Sequence, residues 1–315
     1  MKFLVLGAGG VGGYFGGRLA ASGADVTFLV RERRAAELAR NGLAIESPLG
    51  DLRMPVRTVD AAALGQGYGC ILLTCKAYDL DGAMDAIAPA VGADCAILPM
   101  LNGIEHLDRL DARFGPGHVL GGSCHIAATL LPGGTVKHLN DLHRIMYGER
   151  DGARSDRILA ISAALEKSGV EAKLSDDILL EMWEKVSLLA TLAGMTCLMR
   201  ASVGEIVAAP DGAALMARCY GTCSEIAAAV GHRPRDHVAK RMAAVCTAAG
   251  STLTASMLRD LEAGGPVEAD HIVGYMLRKA RELSIDAALL TIAYTHLKAY
   301  ENRRAAGRLP GVKLQ

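Results

Sequence analysis

The first 31 residues constrain the fold more tightly than any other part of the chain. Lys2–Leu6 is a short apolar run, and Gly7-Ala8-Gly9-Gly10-Val11-Gly12 follows it at once. Tyr14–Ser22 then reads as a helix, and a second apolar run, Asp25–Val30, ends at Arg31. Strand, glycine turn, helix and strand in this order predict a dinucleotide-binding βαβ unit. Gly7 permits the tight turn, Gly9 lets backbone approach a pyrophosphate, and Gly12 lets the helix pack closely on the strand. With Gly10 and Val11 between them, the turn leads into a helix N-terminus that offers free N–H groups and a positive dipole end to phosphates.

Arg31 refines this expectation. A cofactor with a free ribose 2′-OH usually meets an Asp or Glu at the end of the second strand. Here that position is Arg31, followed by Glu32, Arg33 and Arg34. A guanidinium pairs with a 2′-phosphate through two parallel hydrogen bonds, which favours NADPH/NADP over NAD. Glu32 offsets part of the positive field, and the alternative reading is a solvated basic helix start.

Composition narrows the function classes. Lys plus Arg total 34 and so do Asp plus Glu, so net charge gives no support for nucleic acid or an anionic membrane as partner. Aromatic residues make up 4% of the chain, too few for base-stacking platforms. The N-terminus enters a strand directly, so no signal peptide is expected, and no apolar run approaches the ~20 residues that span a bilayer. Eight cysteines are scattered without a CxxC pair, and nine histidines form no HExxH pair. The expectation is reduced, mostly buried thiols in a cytoplasmic protein with no metal requirement.

The first half alternates apolar runs with helical patterns. Helices are expected near residues 34–41, 80–91, 104–114 and 154–168. Leu43–Glu46 and Leu52–Pro55 read as a hairpin around Pro48-Leu49-Gly50. Cys70–Thr74 and Ala96–Leu98 read as strands buried on both faces. Val119–Ala127, Thr135–Leu139, Arg144–Tyr147 and Val170–Leu174 read as further strands, with a turn at Pro132-Gly133-Gly134. This pattern predicts an α/β fold: a Rossmann-type, doubly wound, mostly parallel sheet with antiparallel additions late in the domain.

From Asp176 the pattern is helical, with segments near residues 178–197, 204–207, 213–230, 237–249, 256–262, 268–282 and 287–304. The expected division is an NADP-binding domain over residues 1–173 and an all-α substrate domain over 174–315. The apolar helices of the second domain suit a homodimer interface or an interior equally well.

Lys76 and Asn102 each follow a buried strand, where cofactor and substrate contacts of such folds sit. Lys185 lies near the start of a strongly apolar helix, followed by Leu188, Leu189, Leu192 and Met195. Glu268 follows the Ala263-Gly264-Gly265 loop at a helix start.

These residues stand in GAGGVGGYFGGRLAASGADVTFLVR, LLTCKAYDL around Lys76, LNGIEHL at Asn102, MWEKV at Lys185, SMLRDLEAG from Ser256 and VEADHIVGYMLRKA from Glu268. In order and spacing these blocks resemble the ketopantoate reductases (2-dehydropantoate 2-reductases), within the wider 6-phosphogluconate dehydrogenase-like group. The resemblance runs from residue 1 to about residue 304. It implies NADPH-dependent reduction of a 2-oxo acid to the 2-hydroxy acid, the reaction that serves pantothenate biosynthesis. It further implies Lys185 as general acid and holder of the carbonyl oxygen, and Glu268 as a catalytic residue that binds substrate hydroxyl. Lys76 and Asn102 match contacts to cofactor and substrate, and Ser256 matches a serine near the substrate carboxylate.

The chain departs from the family pattern on one helix face. The family carries asparagines four and eight residues after the catalytic lysine, where this chain has Leu189 and Ala193. The family's ExxDxxNG signature has Val273 at its Asn, and a further pocket asparagine is matched by Leu253. Positions 185, 189 and 193 share a helix face, so substrate-binding positions have become apolar. The expected substrate is therefore a small carbonyl compound more apolar than ketopantoate. Two other readings stand beside it: a non-catalytic NADP-binding sensor, and a related dehydrogenase acting on a sugar phosphate or an opine-like amine.

Overall fold

The computed structural model describes residues 1–309. They form two units, one of residues 1–101 and 106–178, the other of residues 102–105 and from Leu179 on. The sequence division at 173/174 leaves Asn102 in the first domain; the structure groups Asn102–Glu105 with the second unit.

The first unit is built on a parallel sheet of strands β1 (Lys2–Leu6), β2 (Asp25–Leu29), β5 (Arg57–Val59), β6 (Cys70–Leu73) and β7 (Ala96–Pro99). Their order is β5-β2-β1-β6-β7. The chain therefore runs outward on one side of β1 and resumes on the other, and the C-terminal ends of β1 and β6 flank a topological switch point. Strands β6 and β7 are apolar and buried throughout, and β1 is so from Phe3 to Val5, as cover on both faces requires. Edge strand β5 escaped the sequence reading: it has three residues, two of them polar, and only its pairing of Thr27 with Arg57 reveals it.

A second sheet lies in the same unit. It contains β3 (Leu43–Glu46), β4 (Leu52–Met54), β8 (Gly121–Leu130), β9 (Val136–Gly148) and β10 (Glu171–Leu174). The predicted hairpin is β3–β4, in antiparallel register. The two strands expected at 135–139 and 144–147 are one strand, β9, paired along β8 with an irregularity at Ile126/Ala128. Asn140, in the gap between the two expected strands, bridges that irregularity: its Oδ1 accepts from the Ala127 N–H at 3.2 Å.

Helix α1 (Gly10–Ala21) is held between the two sheets. Five of its 12 residues are glycine. In a helix interior each costs about 0.8–1.0 kcal/mol relative to alanine. The close packing explains them. A Cβ at Gly12 would lie 2.3 Å from the Gly7 carbonyl oxygen, and one at Gly16 would lie 2.7 Å from the Phe28 ring, both on the parallel-sheet side. Cβ atoms at Gly10, Gly13 and Gly17 would meet the Ala128 carbonyl, Val136, and Leu43 with Ile45, all on the second sheet. The glycines thus mark two helix faces, while Tyr14, Phe15 and Leu19 fill the core.

The remaining helices of this unit are α2 (Glu32–Asn41), α3 (Leu80–Ile87), α4 (His106–Phe114) and α5 (Asp156–Lys167). The helix expected over 80–91 becomes a 3₁₀ turn at Ala88–Ala90, where Pro89 removes an N–H donor. Ser155 caps α5 through the Ile158 N–H. Beside that cap, buried Glu149 accepts from Arg157 Nε at 2.7 Å, Arg157 Nη2 at 2.6 Å and Ser155 Oγ at 2.6 Å.

The second unit is helical: α6 (Ile178–Met199), α7 (Val203–Ala208), α8 (Gly212–Ala229), α9 (Asp236–Cys246), α10 (Ser256–Glu262), α11 (Tyr275–Glu282) and α12 (Ala288–Ala305). The helix expected over 268–282 differs at its start. Asp270–Gly274 is a π-turn, with the Gly274 N–H reaching Ala269 O at 2.8 Å. A Cβ at Gly274 would come within 2.8 Å of the Tyr294 ring, so this glycine lets α12 close on the turn. Among the described residues no helix is long and apolar enough to cross a membrane. All eight cysteines are free thiols, and only Cys75 is not buried.

The hydrogen bonds from Arg157 hold the Glu149 carboxyl below its ordinary pKa, against the opposing effect of burial. A carboxylate lowered on folding stabilises the fold above its unfolded pKa, and that contribution is lost as pH falls through the folded value. Arg157→Met is expected to cost about 3 kcal/mol at pH 7 by stranding the carboxylate. The deficit should shrink once pH is taken below the lowered folded-state pKa of Glu149, where the carboxyl is protonated in parent and variant alike. Chemical denaturation at the two pH values checks this.

Candidate functional site

The first unit contains a cleft of about 860 Å³ beyond the C-terminal ends of β1, β2 and β6. Its floor is the glycine turn. Gly7 has φ +88°, a conformation that glycine adopts without strain. Gly9 is the N-cap of α1, and no side chain caps this helix end. A Cβ at Gly9 would meet nothing within 4 Å, so the backbone there is open to a ligand. An uncapped helix N-terminus behind a glycine turn fits a pyrophosphate.

Gly7, Gly9, Arg31 and Lys76 all line this cleft, so the structure brings these four predicted residues together. Gly10, Val11 and Gly12 form the first turn of α1 behind it. Arg31 is the exposed N-cap of α2, just past β2. Lys76 is half-buried and opens the 3₁₀ turn Ala77–Asp79 after β6. The structure separates the arginines of the 31–34 run. Arg31 and Arg33 are exposed, whereas Arg34 hydrogen-bonds the carbonyls of Ala8 and Gly134. Its contact with Glu37 at 3.2 Å, and that of Arg33, hold the Glu37 carboxyl below its ordinary pKa.

Sequence reasoning missed the other walls. Thr74 lines the cleft, and its hydroxyl donates to Leu6 O at 2.6 Å beneath the glycine turn. Leu130, Leu131 and Pro132 from the β8–β9 turn also line it. Their segment reads from sequence only as a hairpin connection, because its partner, α2, is about 100 residues away in the chain.

The other predicted residues belong to the second unit. Half-buried Lys185 lies on α6 between buried Glu184 and Val186. Glu184 Oε1 accepts from the backbone N–H and Nε of Arg235, each at 2.9 Å, which ties the start of α6 to α9. Trp183, on the same turn, stacks on His232 at 5.9 Å. Glu268 is 6% exposed and lies two residues before the π-turn. Asp270 binds Lys298 at 2.8 Å and also pairs with Tyr294, so it fastens the π-turn to α12. Burial would raise its pKa, but these two hydrogen bonds outweigh that and lower it.

Half-buried Asn102 begins the four-residue excursion into this unit. There Gly103 approaches His271, and Arg278 reaches Glu105 at 2.7 Å. Half-buried Ser256 opens α10. The four apolar replacements differ in setting. Leu189 is half-buried and Leu253 exposed, whereas Ala193 and Val273 are buried. Val273 has no exposed surface and packs beside Gly194, so its change from the family asparagine alters the helix interior.

Comparison with known proteins decides the family. Residues 3–152 match the ketopantoate reductase PanE/ApbA family, and residues 177–301 match the C-terminal domain of the same family. The uncharacterized oxidoreductase YkpB of Bacillus subtilis is 36% identical over 96% of this chain and 99% of its own. The chain belongs to the ketopantoate reductase family. The 2-dehydropantoate 2-reductase of Methylococcus capsulatus superposes with a TM-score of 0.87 at 26% identity, covering 97% of this chain and 98% of that one. A D-mandelate dehydrogenase, solved with NADH and anilino(oxo)acetate, shares the fold with a TM-score of 0.84 at 21% identity, covering 97% and 99%. This member of the family is an oxidoreductase, with the Rossmann-type domain and helical C-terminal domain of its relatives.

Gly9 and Gly12 should respond oppositely to a side chain. Gly9→Val is expected to fold with nearly unchanged thermal stability and to lose at least tenfold in dinucleotide affinity, or ~1.4 kcal/mol. Gly12→Val forces a side chain against the Gly7 carbonyl and is expected to lose about 1–3 kcal/mol of stability. Thermal unfolding and dinucleotide titration of both variants check the contrast.

Proposed function

We propose that this ketopantoate reductase family member reduces a 2-oxo acid to the 2-hydroxy acid with NADPH, and that its substrate is more apolar than ketopantoate. The observation that carries the reading is the cleft itself. It combines an open glycine turn, an uncapped helix N-terminus and exposed Arg31 where NAD enzymes place an acidic residue.

In this reading the amides of the Gly7–Gly12 turn hold the pyrophosphate, Arg31 pairs with the 2′-phosphate, and Lys76 and Asn102 contact cofactor and substrate. NADPH supplies a hydride to the carbonyl carbon of the substrate. Negative charge develops on the carbonyl oxygen, and the Lys185 ammonium stabilises it and donates the proton that completes the alcohol. Lys185 then regains a proton from solvent. Glu268 orients substrate through a hydrogen bond, and Ser256 meets its carboxylate.

Leu189 supports the apolar preference. It is half-buried one helical turn from Lys185, where the family resemblance calls for an amide. A hydrocarbon there cannot satisfy a substrate hydroxyl, and a hydroxyl left unpaired costs about 1–3 kcal/mol.

Two variants test the assignment. Arg31→Asp should reverse a preference for NADPH over NADH that rests on a charge-assisted pair of about 1.5–3 kcal/mol. Equal affinity of the parent protein for both nucleotides would refute this part, and the D-mandelate dehydrogenase bound to NADH makes it the comparison that matters. Lys185→Ala should lower kcat by ~10²–10⁴ and leave NADPH affinity nearly intact. Near-normal kcat in that variant would remove Lys185 from the chemistry.

A further inference from the structure

Arg34 reads from sequence as one more cation in a basic run. Its surroundings are unlike those of Arg31 and Arg33. Its side chain is only 13% exposed, against 89% for Arg33. Nε and Nη2 both donate to the Ala8 carbonyl, at 3.2 and 3.0 Å. Nη1 donates to the Gly134 carbonyl at 2.9 Å and to Glu37 at 3.2 Å. The guanidinium therefore joins three separate walls of the cleft: the glycine turn, α2 and the β8–β9 turn.

The bond to Ala8 has a chemical consequence. In a trans peptide the C=O of one residue and the N–H of the next point in opposite directions. Fixing the Ala8 carbonyl toward Arg34 fixes the Gly9 N–H on the other side of the same plane. Gly9 is the N-cap of α1 and lines the cleft. Glycine resists rotation of this peptide least of all residues. A flipped Ala8–Gly9 peptide would present an acceptor where an anion needs a donor.

We propose that Arg34 is a positioning residue for pyrophosphate: by clamping the Ala8 and Gly134 carbonyls it holds the Gly9 amide in the orientation that receives the phosphates, while taking no part in reading the 2′-phosphate. The proposal rests on the nucleotide reading of the cleft. It divides the basic run by task, with Arg31 setting which dinucleotide binds and Arg34 setting how well any dinucleotide binds.

Ligand fragments separate the two tasks. ADP carries the pyrophosphate without a 2′-phosphate, and 2′-AMP carries the 2′-phosphate without a pyrophosphate. Calorimetric titration of full-length protein with each is expected to show Arg34→Gln weakening ADP about tenfold and leaving 2′-AMP within about twofold. NADPH and NADH should then weaken by the same factor, so that their ratio is preserved. Arg31→Gln should show the opposite fragment pattern. If Arg34→Gln folds poorly by thermal unfolding, Arg34→Lys serves instead. One ammonium can keep the Ala8 contact or the Gly134 contact but lacks the fork that spans both, so an intermediate loss of ADP affinity is expected. Equal loss of both fragments, or no loss of either, overturns the positioning role. Insensitivity of 2′-AMP to Arg31→Gln would instead count against the 2′-phosphate reading and leave the Arg34 result to be judged on ADP.

Discussion

The close approach of α1 to two sheets at once is the constraint on which the rest of the first unit depends. A helix of ordinary side chains would hold those sheets further apart, and the N-terminal turn would not lie over the switch point between β1 and β6. The five glycines of α1 make the helix intrinsically weak, and its burial between the parallel sheet and the β8–β9 hairpin offsets that weakness. The same arrangement explains why the backbone is open at Gly9 and tightly packed at each glycine of the helix behind it. It also sets the need for Arg34, because a glycine turn with so little intrinsic preference requires an outside partner to fix its peptide planes.

The second unit solves a different problem. Helix α6 carries Lys185 within a run of apolar residues, so the turn bearing the lysine must be oriented by polar contacts around it. Glu184 supplies one through Arg235, and Trp183 adds the stack on His232. Asp270 does the same for the π-turn after Glu268, through Lys298 and Tyr294. In both places a candidate reacting carboxylate or ammonium stands beside a residue whose work is structural. The carboxylates of Glu184 and Asp270 belong to the scaffold, although each is one or two residues from a residue assigned to the chemistry.

Much of this was legible in the sequence. The strand, glycine turn and helix are local features, and hydrophobic period alone locates β1, β2, β6 and β7. Gly7 and Gly9 declare the turn, and Arg31 declares itself by standing where an acid is usual. What escaped depends on partners far along the chain. Edge strand β5 is polar, and only β2 makes it a strand. Strand β9 reads as two strands with a gap between Leu139 and Arg144, and in that gap the Asn140 side chain takes the Ala127 N–H that no backbone partner pairs. Gly10, Gly13 and Gly17 have no local explanation at all until the second sheet is placed against them. Asn102 reads as a strand-end loop of the first domain, and only its neighbours Glu105, His271 and Arg278 place its segment with the second unit. Val273 reads as part of an altered pocket face, whereas its side chain fills the space beside Gly194.

The proposed reaction is reduction of an apolar 2-oxo acid by NADPH. The most direct measurement is kcat/KM with NADPH for ketopantoate beside straight-chain and branched 2-oxo acids that lack its hydroxyl. Carbonyl-dependent oxidation of NADPH is expected, with at least one hydroxyl-free acid preferred over ketopantoate. A tenfold or greater preference for ketopantoate would contradict the apolar site. NADPH binding without turnover on any 2-oxo acid would contradict the assigned chemistry itself.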